Sequence, residues 1–159
     1  MIMLPFDLDS IDSSQIEIDK PYDLGNGYHL ILKQEYDDCT DINDLDCYGT
    51  IKWSRNGRPC EFDGSARIIK HDRYDKLWWL PYREGHTVYD DARSIKQIKD
   101  LVEYGFSAYT LCLYGPAQSI TGEHTIKLEY VSICGIEPFV SVSDVLTEHL
   151  LPELKDVMN

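Results

Sequence analysis

The stretch Ser94-Ile95-Lys96-Gln97-Ile98-Lys99-Asp100-Leu101-Val102-Glu103-Tyr104-Gly105-Phe106-Ser107-Ala108-Tyr109-Thr110-Leu111-Cys112-Leu113-Tyr114 changes its hydrophobic period at Gly105, and that change sets the fold class. Before it, Ile95, Ile98, Leu101 and Val102 recur at helical spacing, while Lys96, Lys99, Asp100 and Glu103 fall on the opposite face. Ser94 with Gln97 three residues on forms a capping box, and Asp90 or Asp91 offers an earlier start. Gly105 is the natural stop, because a residue after a helix often takes a positive φ that glycine adopts cheaply. After it, residues 106–114 read as a buried strand.

Working toward the C-terminus, residues 125–134 alternate Ile126, Leu128 and Tyr130 against Lys127 and Glu129, and pair with 106–114 as a hairpin. The connection 115–123, with Pro116 and Thr121-Gly122, reads as an ordered loop. A final helix begins near Ser141 or Ser143 and carries Leu146, Leu150 and Leu154 at intervals of four, with Pro152 kinking it or starting a second piece.

Working toward the N-terminus, Asp23-Leu24-Gly25-Asn26-Gly27 is a turn, followed by a strand over 28–36 with Leu30 and Leu32 on one face. A second strand covers 47–54. Asn56-Gly57 after it is a strong hairpin signal, so residues 58–62 are expected to return antiparallel. Asp63-Gly64 turns into a strand over 66–70, and 78–80 ends at Pro81. Strands, a helix, a hairpin and a last helix together predict an α+β fold, with a largely antiparallel sheet of about five strands and two helices on one face.

The 159 residues are expected to form one domain, 1–159, and a hydrophobic fraction of 43% supports a real core. No apolar run approaches the roughly 20 residues that span a bilayer, and residues 1–8 lack the basic and apolar regions of a signal peptide. The expected location is the cytoplasm. Cys39, Cys47, Cys60, Cys112 and Cys134 are an odd, widely spaced set, read as reduced thiols.

Charge is distributed unevenly. Residues 1–51 hold 12 acids and 2 bases, 52–83 hold 4 and 8, and 84–159 hold 12 and 5, which makes −10, +4 and −7 of a net −13. Glu35, Asp37, Asp38, Asp41, Asp44 and Asp46 follow one another without a Lys or Arg, and desolvation cost places such a run on the surface. It is the candidate partner-binding site, able to steer a basic surface toward it. The middle segment mixes cations with aromatics, and Arg67, Lys70, Arg73, Trp78, Trp79 and Arg83 form the alternative ligand-binding set. There, rings stack on a small nucleotide while cations meet its phosphates. The net charge argues against general nucleic-acid binding.

The chemical signatures of common enzymes are missing: no phosphate loop, no His-Glu-x-x-His, no Gly-x-Ser-x-Gly. Cys39, Cys47, Cys60 and His71 lack the short spacing by which one turn presents two zinc ligands, and the acids after Asp37 lack an EF-hand's Gly and terminal Glu. The expectation is a non-enzymatic protein with no cofactor and no metal.

Phe62-Asp63-Gly64-Ser65-Ala66-Arg67, then Trp78-Trp79-Leu80-Pro81, Glu103-Tyr104-Gly105-Phe106 and Ser132-Ile133-Cys134-Gly135-Ile136-Glu137 occur in an order that resembles small accessory proteins of bacteriophages and other mobile elements. The resemblance covers about residues 22–157. It implies a protein that binds a host protein, including defence nucleases, some members imitating nucleic acid with their carboxylates. No functional residue is carried over from it.

Overall fold

The computed structural model describes residues 4–44, 48–81, 92–120 and 122–159. Within the span expected to be one domain, the chain is organised as two compact units. The first comprises Met1–Asp37, Ser107–Ile136 and Val140–Asn159, and the second Asp38–Phe106 with Glu137–Phe139. The fold class is α+β.

In the first unit, β1 (Tyr22–Gly25), β2 (Tyr28–Asp37), β6 (Phe106–Ser119) and β7 (Gly122–Ile136) form one sheet in the order β1-β2-β6-β7. Asn26 and Gly27 join β1 to β2 with φ of 56° and 85°, the paired positive values of a tight hairpin turn. Leu30 and Leu32 from β2 and Leu111 and Leu113 from β6 are fully buried, as residues two apart on one sheet face should be. Leu146, Leu150 and Leu154 of the C-terminal helical run are also fully buried in this core. Each such side chain contributes about 1.5–3 kcal/mol.

That helical run is the more broken of the two expected helices. Ser141 caps it, its Oγ accepting from the Asp144 N–H at 3.1 Å, and α2 (Val142–Val145) leads into a π turn at Leu146–Leu150 and then α3 (Leu151–Met158). The Leu151 N–H reaches back five residues to the Leu146 carbonyl. The turn widens just before Pro152, whose ring and missing N–H disfavour a regular α turn there.

Two features of the β6–β7 ribbon depart from the sequence reading. The loop expected at 115–123 is mostly strand, because pairing continues through Pro116↔Thr125 to Ser119↔Gly122. Pro116 packs beside Gly27, in the turn just before β2. A bulge at Leu128 also splits the expected stripe: Ile126 pairs with Gly115 but Tyr130 with Cys112, on opposite faces.

In the second unit, β3 (Thr50–Ser54), β4 (Arg67–His71) and β5 (Lys76–Leu80) form a three-stranded antiparallel sheet in the order β3-β5-β4. The strand expected over 58–62 is absent. Residues 59–66 instead make successive turns, with the Phe62 N–H on the Pro59 carbonyl and the Ala66 N–H on the Asp63 carbonyl, and β3 pairs with β5. Arg58-Pro59 cannot supply the regular donors a returning strand needs. Helix α1 (Ala92–Tyr104) ends where predicted, the Gly105 N–H bonding the Leu101 carbonyl at φ 70°. Ile98 and Leu101 pack with Ile69, Leu77, Trp79 and Phe106.

The single sheet of about five strands with two helices on one face is therefore corrected to two sheets, of four and three strands. Each has its own helical packing, α1 in the second unit and the C-terminal run in the first. Turn and periodicity signals report neighbours along the chain, whereas β3 finds its partner across a 21-residue connection.

Candidate functional site

The six acids of the candidate partner site do not share one environment. Glu35, Asp38 and Asp41 are exposed. Asp37 is 6% exposed, which corrects the expectation that the whole run lies on the surface. Its carboxylate accepts from the Gly135 N–H at 2.7 Å. Gly135, at φ 70°, sits in a bulge of β7 between Ile133 and Ile136, where the ladder to β6 shifts and an N–H needs an acceptor outside it. Asp37 is thus a structural carboxylate at the end of β2. Asp41 caps a short 3-10 turn by accepting from the Asn43 N–H at 2.9 Å. Asp44 belongs to that turn, and Asp46 lies outside the described residues.

Asp37, Asp38 and Cys39 bring potential metal-ligand atoms within 4.8 Å of one another, with no other such trio among the described residues. Asp37 already serves Gly135, and Asp38 accepts from the Cys39 thiol at 3.5 Å, so these groups bond each other and the backbone.

The division into units concentrates the charge. By sequence, the first unit holds 14 acids and 4 lysines, for −10, and the second 14 acids and 11 bases, for −3. Two of those four lysines are already engaged, Lys20 by Glu17 at 2.8 Å and Lys155 by Asp9. Lys20 holds the Glu17 carboxyl below its usual range, first through their hydrogen bond and then through charge attraction.

The alternative ligand-binding set is likewise not assembled. Trp79 is 2% exposed in the second core, its indole N–H donating to the Tyr48 carbonyl at 2.6 Å. Trp78, its neighbour on β5, faces the other side of the sheet. Its Nε1 is buried with no hydrogen-bond partner among the described residues. Arg67 donates to the Ser65 carbonyl, Lys70 and Arg73 are exposed, and Arg83 lies outside the described residues. Alternation along β5 separates the two tryptophans, so they cannot flank one ligand.

A different cluster forms at the β4–β5 turn. The Asp72 N–H bonds the Asp75 carbonyl at 2.8 Å, which places Arg73 and Tyr74 at the tip. Tyr74 is 66% exposed, and the Arg73 and Arg55 guanidinium carbons lie 5.2 and 5.9 Å from its ring centre. Arg55 also pairs with Asp75 at 3.3 Å. Tyr74 and Arg55 were missed as site residues; the signal available for Tyr74 was an aromatic between charged residues in the connection between two expected strands, 66–70 and 78–80.

Among the described residues of the first unit, one cleft is lined by Leu8, Ile11, Ser13, Thr147 and Pro152 and another by Leu4, Phe6, Asp7 and Asn159, with Asp9 and Lys155 shared. Neither includes a residue of either candidate set. The chain is thus an α+β protein with two antiparallel sheets, a concentrated acidic charge and a small cationic, aromatic turn. No family model, curated protein or solved structure matches it.

Proposed function

We propose that this chain is a non-enzymatic binding protein that captures a partner protein with a basic surface through the acidic exterior of its first unit. In a phage-type accessory protein that partner is a host protein, a defence component among the possibilities, met in the host cytoplasm. One observation carries the reading: a charge of −10 in one compact unit, with two of its four lysines already spent on internal ion pairs. Carboxylates at such density repel one another and are relieved by a cationic partner, which also accelerates the encounter. Of the acidic run only Glu35 is an exposed member of this unit, since Asp37 is buried and Asp38, Asp41, Asp44 and Asp46 belong to the second, and the reading rests on Glu35 with exposed Glu148, Glu153 and Asp156.

The test begins with capture from host lysate at about 50 and about 500 mM salt, since screening shortens the reach of surface charge several-fold over that range. The captured protein is then purified and its association rate measured with wild type and with the Glu35→Gln, Glu148→Gln, Glu153→Gln, Asp156→Asn variant. A slower, less salt-dependent association in the variant supports the proposal. No retained protein, or equal rates for both chains, refutes it.

A further inference from the structure

The whole-chain charge of −13 hides a local excess of the opposite sign. At the β4–β5 turn and the adjoining end of β3, the cations Arg55, Arg73 and Lys76 accompany two carboxylates, Asp72 and Asp75, so one positive charge remains in excess, while Lys70, paired with Leu77, lies on the other face of the sheet from Lys76. Asp75 is taken by Arg55, and the Asp72 carboxylate accepts from the Arg73 backbone N–H at 2.8 Å. Arg73 and Lys76 are exposed and form no ion pair among the described residues. Between these charges stands the exposed Tyr74 ring, and on β3 the Trp53 indole is 46% exposed.

We infer that this end of the three-stranded sheet binds single-stranded nucleic acid, a nucleobase stacking at Tyr74 and the backbone phosphates meeting Arg73 and Lys76. An exposed ring beside unpaired cations supplies both contacts that sequence-tolerant strand binding uses. A strand fits better than an acidic peptide, because the Tyr74 face and the planar guanidinium beside it match the flat face of a base. It also fits better than a mononucleotide, because the turn tip, with Tyr74 66% exposed, is an open surface where binding needs several contacts along a chain.

Fluorescence anisotropy of a labelled oligothymidylate of about twelve nucleotides, at about 50 mM salt, tests the inference. Saturable binding with a dissociation constant on the order of 1–100 µM is expected. Tyr74→Ala should weaken it about tenfold, by loss of one stacked base. Arg73→Ala with Lys76→Ala should lower the slope of log affinity against log salt by about 1.4, or about 0.7 for each phosphate no longer neutralised. Lys20→Ala, in the other unit, should change nothing. Thermal unfolding of each variant checks its fold, and if Tyr74→Ala fails that check the Arg73, Lys76 pair decides. The inference is overturned by no anisotropy change up to about 100 µM protein, by an equal loss in Lys20→Ala, or by affinity unchanged in the folded variants. Equal competition per mole from thymidine monophosphate overturns the strand in favour of a nucleotide. Equal competition from duplex of the same length removes the stacking contact.

Discussion

Replacing Asp37 with Ala should destabilise the first unit, although the residue lies in an acidic run whose other described members are mostly exposed. The carboxylate is 6% exposed and accepts from the Gly135 N–H at 2.7 Å. A hydrogen bond to a charged group is worth about 1.5–3 kcal/mol, and truncation also leaves a partly buried N–H without this acceptor. The expected loss is therefore about 2–3 kcal/mol, or roughly 4–12 °C of melting temperature at about 2–4 °C per kcal/mol for a chain of this size. Trp53, Trp78 and Trp79 all belong to the second unit, so their fluorescence is the wrong probe. Urea and thermal unfolding should be followed by far-UV circular dichroism, which reports both units. Asp38→Ala and Glu35→Ala, on exposed side chains, are the controls and should stay within about 0.5 kcal/mol of wild type. Asp37→Asn should recover part of the loss, because its amide oxygen can accept the same bond. An Asp37→Ala midpoint indistinguishable from that of Asp38→Ala would refute the assignment of Asp37 to the β7 bulge.

Gly115→Ala should cost about 1–3 kcal/mol, because an added Cβ would lie 2.5 Å from Leu128 Cδ1 and 2.7 Å from Tyr28 Cε1. Leu128→Ala in the same chain should restore part of it, and a denaturant series with no rescue would place the strain elsewhere. Leu150→Ala should lose about 2–5 kcal/mol in the same assay, while Ile120→Ser, at the fully exposed end of the ribbon, should stay within about 0.5 kcal/mol. The Glu61 carboxyl should titrate near 2 rather than 4.5, its largest cause being the hydrogen bond from Lys52. A depressed folded value means that the pair's contribution is present above the ordinary carboxyl range and disappears as pH falls from 4.5 through about 2. Carboxyl NMR should show that value rising in Lys52→Met and at high salt, and an unmoved titration would remove Lys52 as its cause.

What local chemistry controls was legible along the chain. The α1 stripe and its Gly105 stop, the Asn26-Gly27 turn, the Leu30 and Leu32 face of β2 and the leucines on either side of Pro152 each depend on neighbours a few residues away. The α+β class followed from their order. Strand partnership did not, because β3 joins β5 rather than the segment after Asn56-Gly57, and a hydrophobic period does not say which edge a strand meets. The candidate sites depended on the same tertiary information. Asp37 and Asp38 are adjacent acids of one charge, yet a displaced N–H at Gly135, 98 residues from Asp37, makes one of them a buried acceptor and leaves its neighbour in solvent. Trp78 and Trp79 look alike in sequence, but the pleat of β5 sends one indole to the Tyr48 carbonyl and the other to the opposite face. Composition determined how much charge the chain carries; only its folding into two units gathered most of the net negative charge into one and left cations around Tyr74, because burial and pairing are settled between residues distant in sequence.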